Sequence, residues 1–139
     1  MFREEDLKCY YLNFVNFLLQ QKQVLVEIGI CHDLTPMQTI ALLLLEKPLP
    51  MSSLTTLFGC DASNVTGIVD GLEHKELVNR VENPKDRRVR LLVLSTTGMK
   101  LRDTLFKQLI DEVEPNPIFS KLSLSELKTF FRLVDKVTQ

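Results

Sequence analysis

Apolar residues recur at alternating steps of four and three along the first thirty residues of the chain. The recurring positions, interrupted only at Gln21, are Leu7, Tyr11, Phe14, Leu18, Leu25 and Ile28. This spacing predicts one long helix over about residues 5–29. Further apolar residues that widen the stripe are Tyr10, Val15, Phe17 and Val24. Because one packing surface does not need so wide a stripe, we expect this helix to have a second partner.

Capping residues mark two short helices in the middle of the chain. The segment 35-TPMQ-38 places an N-cap Thr before Pro, with Gln three residues after the cap, and predicts a helix through about Glu46. Ser52 is the expected cap of a short helix over 53–58. Gly59 stands where a left-handed residue would end that helix.

The next helix, which Asp61 is expected to cap, has one apolar face and one face of small polar residues. The residues predicted to be buried are Val65, Ile68, Val69 and Leu72. The residues predicted to point outward are Ser63, Asn64, Thr66, Gly67, Asp70 and Lys75. A glycine inside a helix costs about 1 kcal/mol relative to alanine. Gly67 and Gly71 therefore suggest that another body approaches this helix closely.

A cationic hairpin follows. Residues 78–81 and 88–94 have strand-forming composition and are separated by a turn at 83-NPKD-86. Between residues 79 and 95, five lysines and arginines stand against Glu82 and Asp86, so this segment carries +3 and the remainder carries −4 of the net −1. A basic hairpin is also common as a plain solvated strand. After two short helices, however, it predicts a winged helix-turn-helix.

Two further helices are predicted to complete the chain. Thr97 or Ser95 caps a helix of about 97–113, and 115-PNP-117 ends it. The side chains on one side of that helix are Leu101, Leu105, Leu109 and Val113. The capping box 123-SLSE-126 opens the last helix, whose inner stripe is Leu124, Leu127, Phe131 and Val134. The expected fold class is mainly α with a small β-hairpin wing (α+β), in which helical ends flank a winged helix-turn-helix.

Composition limits the class of protein. A chain of 139 residues with 45% hydrophobic content has the size of one domain with its own core. Its start, MFREED, has acids where a signal peptide needs cations, and its longest apolar run, 40–45, is too short to span a membrane. Three cysteines without paired spacing fit a reducing compartment. We therefore expect a cytoplasmic protein with no membrane association.

The sequence carries no recognisable catalytic or metal-binding motif. It has no G-x-S-x-G segment, no glycine-rich phosphate loop and no pair of Cys or His residues at metal-ligand spacing. The consecutive residues 31-CHD-33 cannot easily converge on one ion. We therefore expect no enzyme activity, no cofactor and no metal.

Four segments, in order and in wording, resemble the MarR family of bacterial transcriptional regulators. They are 34-LTPMQ-38, 61-DASNVTGIVDGLEHKELVNR-80, 83-NPKDRRVRLLVLSTTG-98 and 122-LSLSELKTFFRLVDKV-137. The resemblance implies one domain over 1–139, a DNA-binding core at 33–95 and dimerisation helices at 1–32 and 96–139. It also implies a symmetric homodimer that binds pseudo-palindromic double-stranded DNA, most simply as a repressor that a ligand releases.

The residues themselves indicate individual roles, and Asp86 and Arg88 match the family's Asp-x-Arg wing signature. Small residues on the helix that Asp61 is expected to cap, here called the reading helix, would let it enter the major groove, where Asn64 could pair with adenine. Helix N-termini near 53 and 62, together with Lys75, would contact phosphates. The wing would enter a minor groove, with Asp86 holding Arg88 in orientation and Arg90 facing the DNA backbone. The full DNA-binding set is Ser52, Ser53, Ala62, Ser63, Asn64, Thr66, Gly67, Lys75, Lys85, Arg87, Arg88 and Arg90.

Some positions depart from the family pattern. Many members carry arginine or another large polar residue where this chain has Gly67 and Gly71. Glu76 stands where a glycine commonly sits before the wing. With fewer cations on the helix, we expect the wing and the backbone amides to carry more of the binding energy, and the salt dependence to be modest.

Regulation leaves several alternatives open. Residues that could line a crevice for a small amphipathic effector are Tyr10, Tyr11, Phe14 and Met37, although such residues are more often plain core. A redox branch of the family uses a cysteine early in the first helix, and Cys9 lies about two residues before that placement. Cys60 precedes the reading helix, whose N-terminal end favours a thiolate. The remaining alternative is a winged-helix module that binds protein and not DNA.

Overall fold

The computed structural model describes residue 1, residues 3–112 and residues 120–139. The α-helices in these ranges are α1 (Glu4–Ile30), α2 (Pro36–Leu44), α3 (Met51–Phe58), α4 (Ala62–His74), α5 (Thr96–Lys107) and α6 (Leu124–Thr138). The strands are β1 (Leu49–Pro50), β2 (Val78–Asn83) and β3 (Asp86–Leu94). This arrangement confirms a mainly helical fold with a small sheet. None of the described helices combines the length and apolar character needed to cross a membrane.

The hydrophobic core lies between the short helices and the sheet. The side chains with less than 2% exposure include Leu42, Leu54, Leu72, Leu92 and Leu105, one from each of α2, α3, α4, β3 and α5. The long helix α1 contributes only its last turns, through Val24 and Ile28. On α4, the predicted inner face is confirmed, since Val65, Val69 and Leu72 are buried and Ile68 packs against them.

The sheet has three antiparallel strands in the order β1-β3-β2. Strands β2 and β3 form the predicted hairpin, with Arg80 opposite Leu92 and an irregularity between Glu82 and Asn83 near the turn. Strand β1 pairs Leu49 with Leu92. The sequence does not predict β1, because two residues inside 47-KPLP-50 are too short to show an alternating pattern.

Most predicted caps are confirmed. Thr35 and Gln38 form a reciprocal capping box at α2, in which the Gln38 N–H donates to Thr35 Oγ1 at 3.2 Å. Ser123 and Glu126 form the same box at α6. Gly59 ends α3 with a φ of 61°, in the left-handed region that favours glycine.

The predicted start of α3 is wrong. The helix begins at Met51, its N-cap residue is Pro50, and Ser52 lies inside the first turn without capping it. Pro50 has an extended ψ of 136° and stands outside the helix, so Met51 takes the first helical position and Ser52 the second. The end of α2 also differs from the prediction, because the helix stops at Leu44 and not at Glu46.

Ser95 fastens the start of α5 to the base of the hairpin. Its hydroxyl accepts from the Gly98 N–H at 2.9 Å and donates to the Glu76 carbonyl at 2.7 Å. Its own N–H donates to the Leu77 carbonyl at 3.0 Å. A Cβ at Gly98 would collide with that same Leu77 oxygen, so the approach requires glycine. Ser95 is therefore the cap, not Thr97.

The far end of α5 departs from a simple helix. After Lys107 the backbone widens into a π-helix over Gln108–Glu112, so the predicted α-helix through residue 113 is wrong in its last turn. Leu105 is buried and Leu101 and Leu109 are partly buried, as predicted. Val113 and the predicted break at 115-PNP-117 lie outside the described residues.

Candidate nucleic-acid interface

Asp61 builds the N-terminal end of α4. Its Oδ1 accepts from the Asn64 N–H at 2.8 Å and from the Ser63 hydroxyl at 2.9 Å. These bonds, the first above all, hold the pKa of Asp61 below its usual 3.8. The carboxylate therefore stays charged at neutral pH and fixes the turn that carries Ser63 and Asn64.

The outer face of α4 is small, polar and open. The residues exposed on it, as the sequence predicts, are Ala62, Ser63, Asn64, Thr66 and Gly67. Thr66 donates its hydroxyl to the Ala62 carbonyl at 2.9 Å and so lies close to the helix. A Cβ built on Gly67 would meet nothing within 4 Å. The first turns of α4 thus present a surface that a second body can approach closely.

Gly71 has a different explanation from the predicted one. A Cβ there would collide with the side-chain amide of Gln38 on α2. At Gly71, therefore, the group that approaches α4 closely is the Gln38 side chain of the same protein and not a second molecule. Only Gly67 leaves room for another molecule.

The turn of the hairpin is held by two short side chains. Asn83 Oδ1 accepts from the Lys85 N–H at 3.0 Å. Asp86 Oδ1 accepts from both the N–H and the Nε of Arg88, each at 3.1 Å, and Asp86 Oδ2 accepts from Nη2 at 3.2 Å. These bonds with Arg88 lower the pKa of Asp86. The Arg88 side chain is 90% exposed. The predicted bonds from Arg88 to Asp86 therefore orient a guanidinium group that faces solvent.

Most cations around the hairpin and α4 are already paired with acids. Arg80 bonds to Asp70 and Glu73, and Arg90 lies 3.8 Å from Glu82. Within the described part of the chain, the side chains of Lys85 and Arg87 make no ion pair. The wing tip is therefore where uncompensated positive charge collects.

Lys75 does not point freely outward as predicted. Its Nζ lies 2.7 Å from Asp33 Oδ2 and 2.6 Å from the Asp33 carbonyl oxygen. Asp33 follows α1 with a φ of 55°, and the bond from Lys75 lowers its pKa. The pair joins residues 42 positions apart, for which the sequence carries no local signal.

The start of α3 presents the two predicted serines in different settings. Ser52 is exposed and Ser53 is half-buried. No side chain caps this helix, so its first N–H groups keep no side-chain acceptor from the described residues. Contact of these amides with phosphate stays a prediction.

A single chain does not bring the predicted effector residues together. Tyr10, Tyr11 and Phe14 are more than half exposed on α1. Met37 lies instead in a separate hollow with Phe58. The common crevice therefore stays a prediction.

The two candidate redox cysteines have different surroundings. Cys9 is exposed, and Cys60 is half-buried beside α4 in the same hollow as Met37. Neither forms a disulfide within the described residues. No group of three His, Cys, Asp or Glu side chains in those residues is placed to hold a metal ion.

The backbone conformation at Glu76 explains why the family that the sequence resembles commonly has glycine at this position. Glu76 has a φ of 58°, in the left-handed region, at the turn between α4 and β2. This is the position where family members commonly carry glycine, which adopts that conformation without strain.

Comparisons with known proteins agree with this geometry. Residues 34–89 match the profile of the MarR family. A probable transcriptional regulator from Pseudomonas aeruginosa is 28% identical, with a TM-score of 0.61 over 97% of this chain and 99% of that one. A mutant of MarR from E. coli in complex with operator DNA is 25% identical, with a TM-score of 0.65 over 91% and 92%.

A third solved structure shows the same fold. A mutant of MepR from S. aureus, bound to an oligodeoxyribonucleotide, is 23% identical, with a TM-score of 0.60 over 93% of this chain and 95% of that one. No curated protein sequence matches the chain. The match over residues 34–89 and the fold shared along the described chain confirm that this protein is similar to the MarR family.

Proposed function

We propose that this protein is a cytoplasmic, sequence-specific DNA-binding regulator of transcription that binds pseudo-palindromic operators as a homodimer. The observation that carries the proposal is the open, polar face of α4 beside a hairpin whose tip holds Lys85 and Arg87, two exposed cations that form no ion pair with any described residue. Similar structures of MarR and MepR contain DNA. These features support a groove-reading helix with a cationic wing.

The two parts have different tasks in this proposal. The first turns of α4 read bases in the major groove, where the Asn64 amide can form two hydrogen bonds with adenine. The wing supplies charge, since a narrow minor groove has the strongest negative potential. Asp86 does not touch DNA in this proposal. Its carboxylate binds the Arg88 guanidinium through two groups and so fixes the direction in which that guanidinium points.

The homodimer is supported by apolar surface that a single chain leaves uncovered. Helix α6 has no buried residue, and its exposed apolar side chains are Leu124, Phe131, Leu133, Val134 and Val137. A 15-residue helix is marginal in water unless its apolar face is covered. The ring of Phe130 lies 5.9 Å from that of Phe17, so α6 and α1 together form one apolar surface. A second copy of the same surface covers it most simply.

Sedimentation of two matched variants tests the dimer. Phe131→Asp places a charge on the exposed apolar face of α6 and should convert the dimer to monomer. Thr129→Asp adds the same charge on the polar side and should leave the dimer intact. A wild-type protein that sediments as a monomer at micromolar concentration would contradict the proposal.

Fluorescence anisotropy with the DNA upstream of the protein's own gene tests DNA binding, with a scrambled duplex for comparison. Arg88→Ala should weaken specific binding by about 1–3 kcal/mol and reduce the salt slope. Asp86→Ala should weaken binding with less change in slope, because Asp86 contacts no phosphate. Lys107→Ala, on α5, is the control and should change neither. Equal loss of slope in the Arg88 and Asp86 variants would refute this division of tasks.

We also propose that the protein is a repressor released by a small amphipathic ligand. The hollow of about 310 Å³ that contains Met37 and Phe58 also contains Asn64, so an occupant would touch a proposed base-reading side chain. Titration of small aromatic acids into the protein–operator complex tests this, and release of DNA is the expected result. Ligand binding that leaves the complex intact would contradict it.

A further inference from the structure

Two carboxylates lie along the same helix as the residues proposed to read DNA. Asp70 follows Thr66 by four positions and Gly67 by three, so it lies one turn further along the exposed face of α4. Its side chain is 58% exposed. Glu73 follows by three more residues and is 32% exposed. Free carboxylates there would repel the phosphates of a duplex that lies along α4.

One arginine binds both carboxylates. The Nη2 atom of Arg80 lies 2.6 Å from Asp70 Oδ1, and its Nη1 lies 2.5 Å from Glu73 Oε2. The backbone N–H of Arg80 also donates to Glu73 Oε1 at 3.2 Å. A guanidinium is a rigid, planar fork, which suits it to two acceptors at once.

The arginine acts from a fixed base. Arg80 lies on β2 opposite Leu92, which is fully buried in the core. Its side chain is 28% exposed and bridges from the base of the wing to the reading helix. Partial burial reduces the solvent screening of this contact relative to a surface pair.

From this geometry we infer that Arg80 is a positioning residue that serves as the internal counterion of the DNA-binding face. The inference rests on the proposed function. With Arg80 in place, the three groups carry a net charge of −1, and without it Asp70 and Glu73 carry −2. Arg80 is thus a cation of the wing segment that favours DNA binding without touching DNA.

The sequence places Arg80 among the cations of the basic segment, and the structure separates it from them. The charges of Lys85 and Arg87 are exposed to solvent, whereas Arg80 forms ion pairs with two acids of the same chain. Its removal should therefore act through the carboxylates and not through a lost phosphate contact. Asn and Gln have the shapes of Asp and Glu but carry no charge. Replacing Asp70 and Glu73 by these amides therefore separates the effect of the carboxylate charges from that of a lost phosphate contact.

Three variants separate the charge of this cluster from its shape. They are Arg80→Met, the double variant Asp70→Asn with Glu73→Gln, and the triple variant that combines all three changes. Operator affinity is measured by anisotropy at several salt concentrations. Thermal unfolding of each variant is followed by circular dichroism, so that a loss of fold is seen separately.

Arg80→Met should weaken operator binding about tenfold, because two like charges then face the phosphates. The triple variant should recover to within about threefold of wild type, because the charges that needed a counterion are gone. The double variant leaves Arg80 without its two acidic partners and should bind with a salt slope steeper by up to about one per protomer.

Recovery of affinity in the triple variant is the deciding result. If the triple variant binds as weakly as Arg80→Met, the counterion role is wrong. Arg80→Lys keeps the charge without the fork and should stay close to wild type; binding as weak as that of Arg80→Met would also overturn the inference. A wild type that ignores every duplex refutes the proposed function itself, whereas a wild type that binds, with all variants unchanged, refutes only this inference.

Discussion

The reading head and the helical ends of this chain are stabilised in different ways. The head, from α2 to β3, encloses side chains such as Leu42, Leu72 and Leu92 that are fully buried by the chain itself. Helix α6 buries none, and α1 buries only residues in its last two turns. The core of the head is therefore buried within a single chain, while the ends present the apolar surface on which the proposed association depends.

Because of this difference, we expect mutations in the head and mutations in the helical ends to affect different properties. A change inside the head should act on its own folding, whereas a change on the exposed stripes of α1 or α6 should act on association.

Leu72→Ala should have the largest effect on stability. The side chain has 0% exposure, and its truncation should lower the free energy of unfolding by about 2–5 kcal/mol, since a cavity remains. Urea unfolding followed by circular dichroism measures this loss. Leu124→Ala, 69% exposed on α6 of the single chain, is the control and should cost much less at protein concentrations where the chain is monomeric. Equal losses would show that the two regions are not built differently.

Asp61→Ala should lower the free energy of unfolding by about 1 kcal/mol, because it removes the side-chain cap of α4. Ser52→Ala is the matched change at the start of α3, where the serine caps nothing. It should leave the urea midpoint unchanged. A loss at Ser52 as large as that at Asp61 would contradict the capping geometry.

Glu76→Gly should stabilise the head by up to about 1 kcal/mol, because glycine adopts a left-handed φ without the steric cost that a side chain carries. Gly59→Ala makes the opposite exchange at another left-handed position and should destabilise by a similar amount. Thermal midpoints measured side by side test both signs. A lower midpoint for Glu76→Gly would mean that its side chain has a stabilising role.

Acid should destabilise the protein through its bound carboxylates. Hydrogen bonds lower the pKa of Asp61 and of Glu126 in the folded state, the former through the Asn64 N–H and the latter through Ser123. A lowered folded pKa adds stability above the unfolded value, 3.8 for Asp, which is lost as pH falls through the folded pKa. Urea midpoints should therefore decline below about pH 4.

Replacement by an amide isolates this effect in each region. Asp61→Asn in the head and Glu126→Gln in α6 keep a hydrogen-bond acceptor but do not titrate. Each should make the decline of the midpoint with falling pH shallower than in wild type. An unchanged pH profile in both variants would contradict the assigned role of these carboxylates.

The sequence predicts features of this fold that depend on neighbours along the chain. The caps at Thr35, Asp61 and Ser123 involve residues three positions away, and Asp86 holds Arg88 from two positions away. Such contacts follow from local spacing. The inner face of α4 follows from helical periodicity in the same way.

Features that depend on distant residues could not be predicted. The pair of Lys75 with Asp33 spans 42 positions, and the binding of Arg80 to Asp70 spans ten. Neither produces a periodic signal, so both cations look free in the sequence. The π-helix after Lys107 also leaves no pattern that separates it from a continuing α-helix.

The hydrogen bonds of Ser95 connect the start of α5 to the base of the hairpin. Because the Ser95 hydroxyl and N–H bond to Glu76 and Leu77, just before β2, and Ser95 directly follows β3, we expect a tilt of α5 to move the base of the hairpin. Strand β3 has nine residues, which at about 3.3 Å each gives an arm of about 30 Å. A tilt of about 5° at the junction would then displace the turn by about 2.5 Å, comparable to half the width of a minor groove. Under the proposed function, a small rotation of α5 would thus be amplified at Lys85 and Arg87.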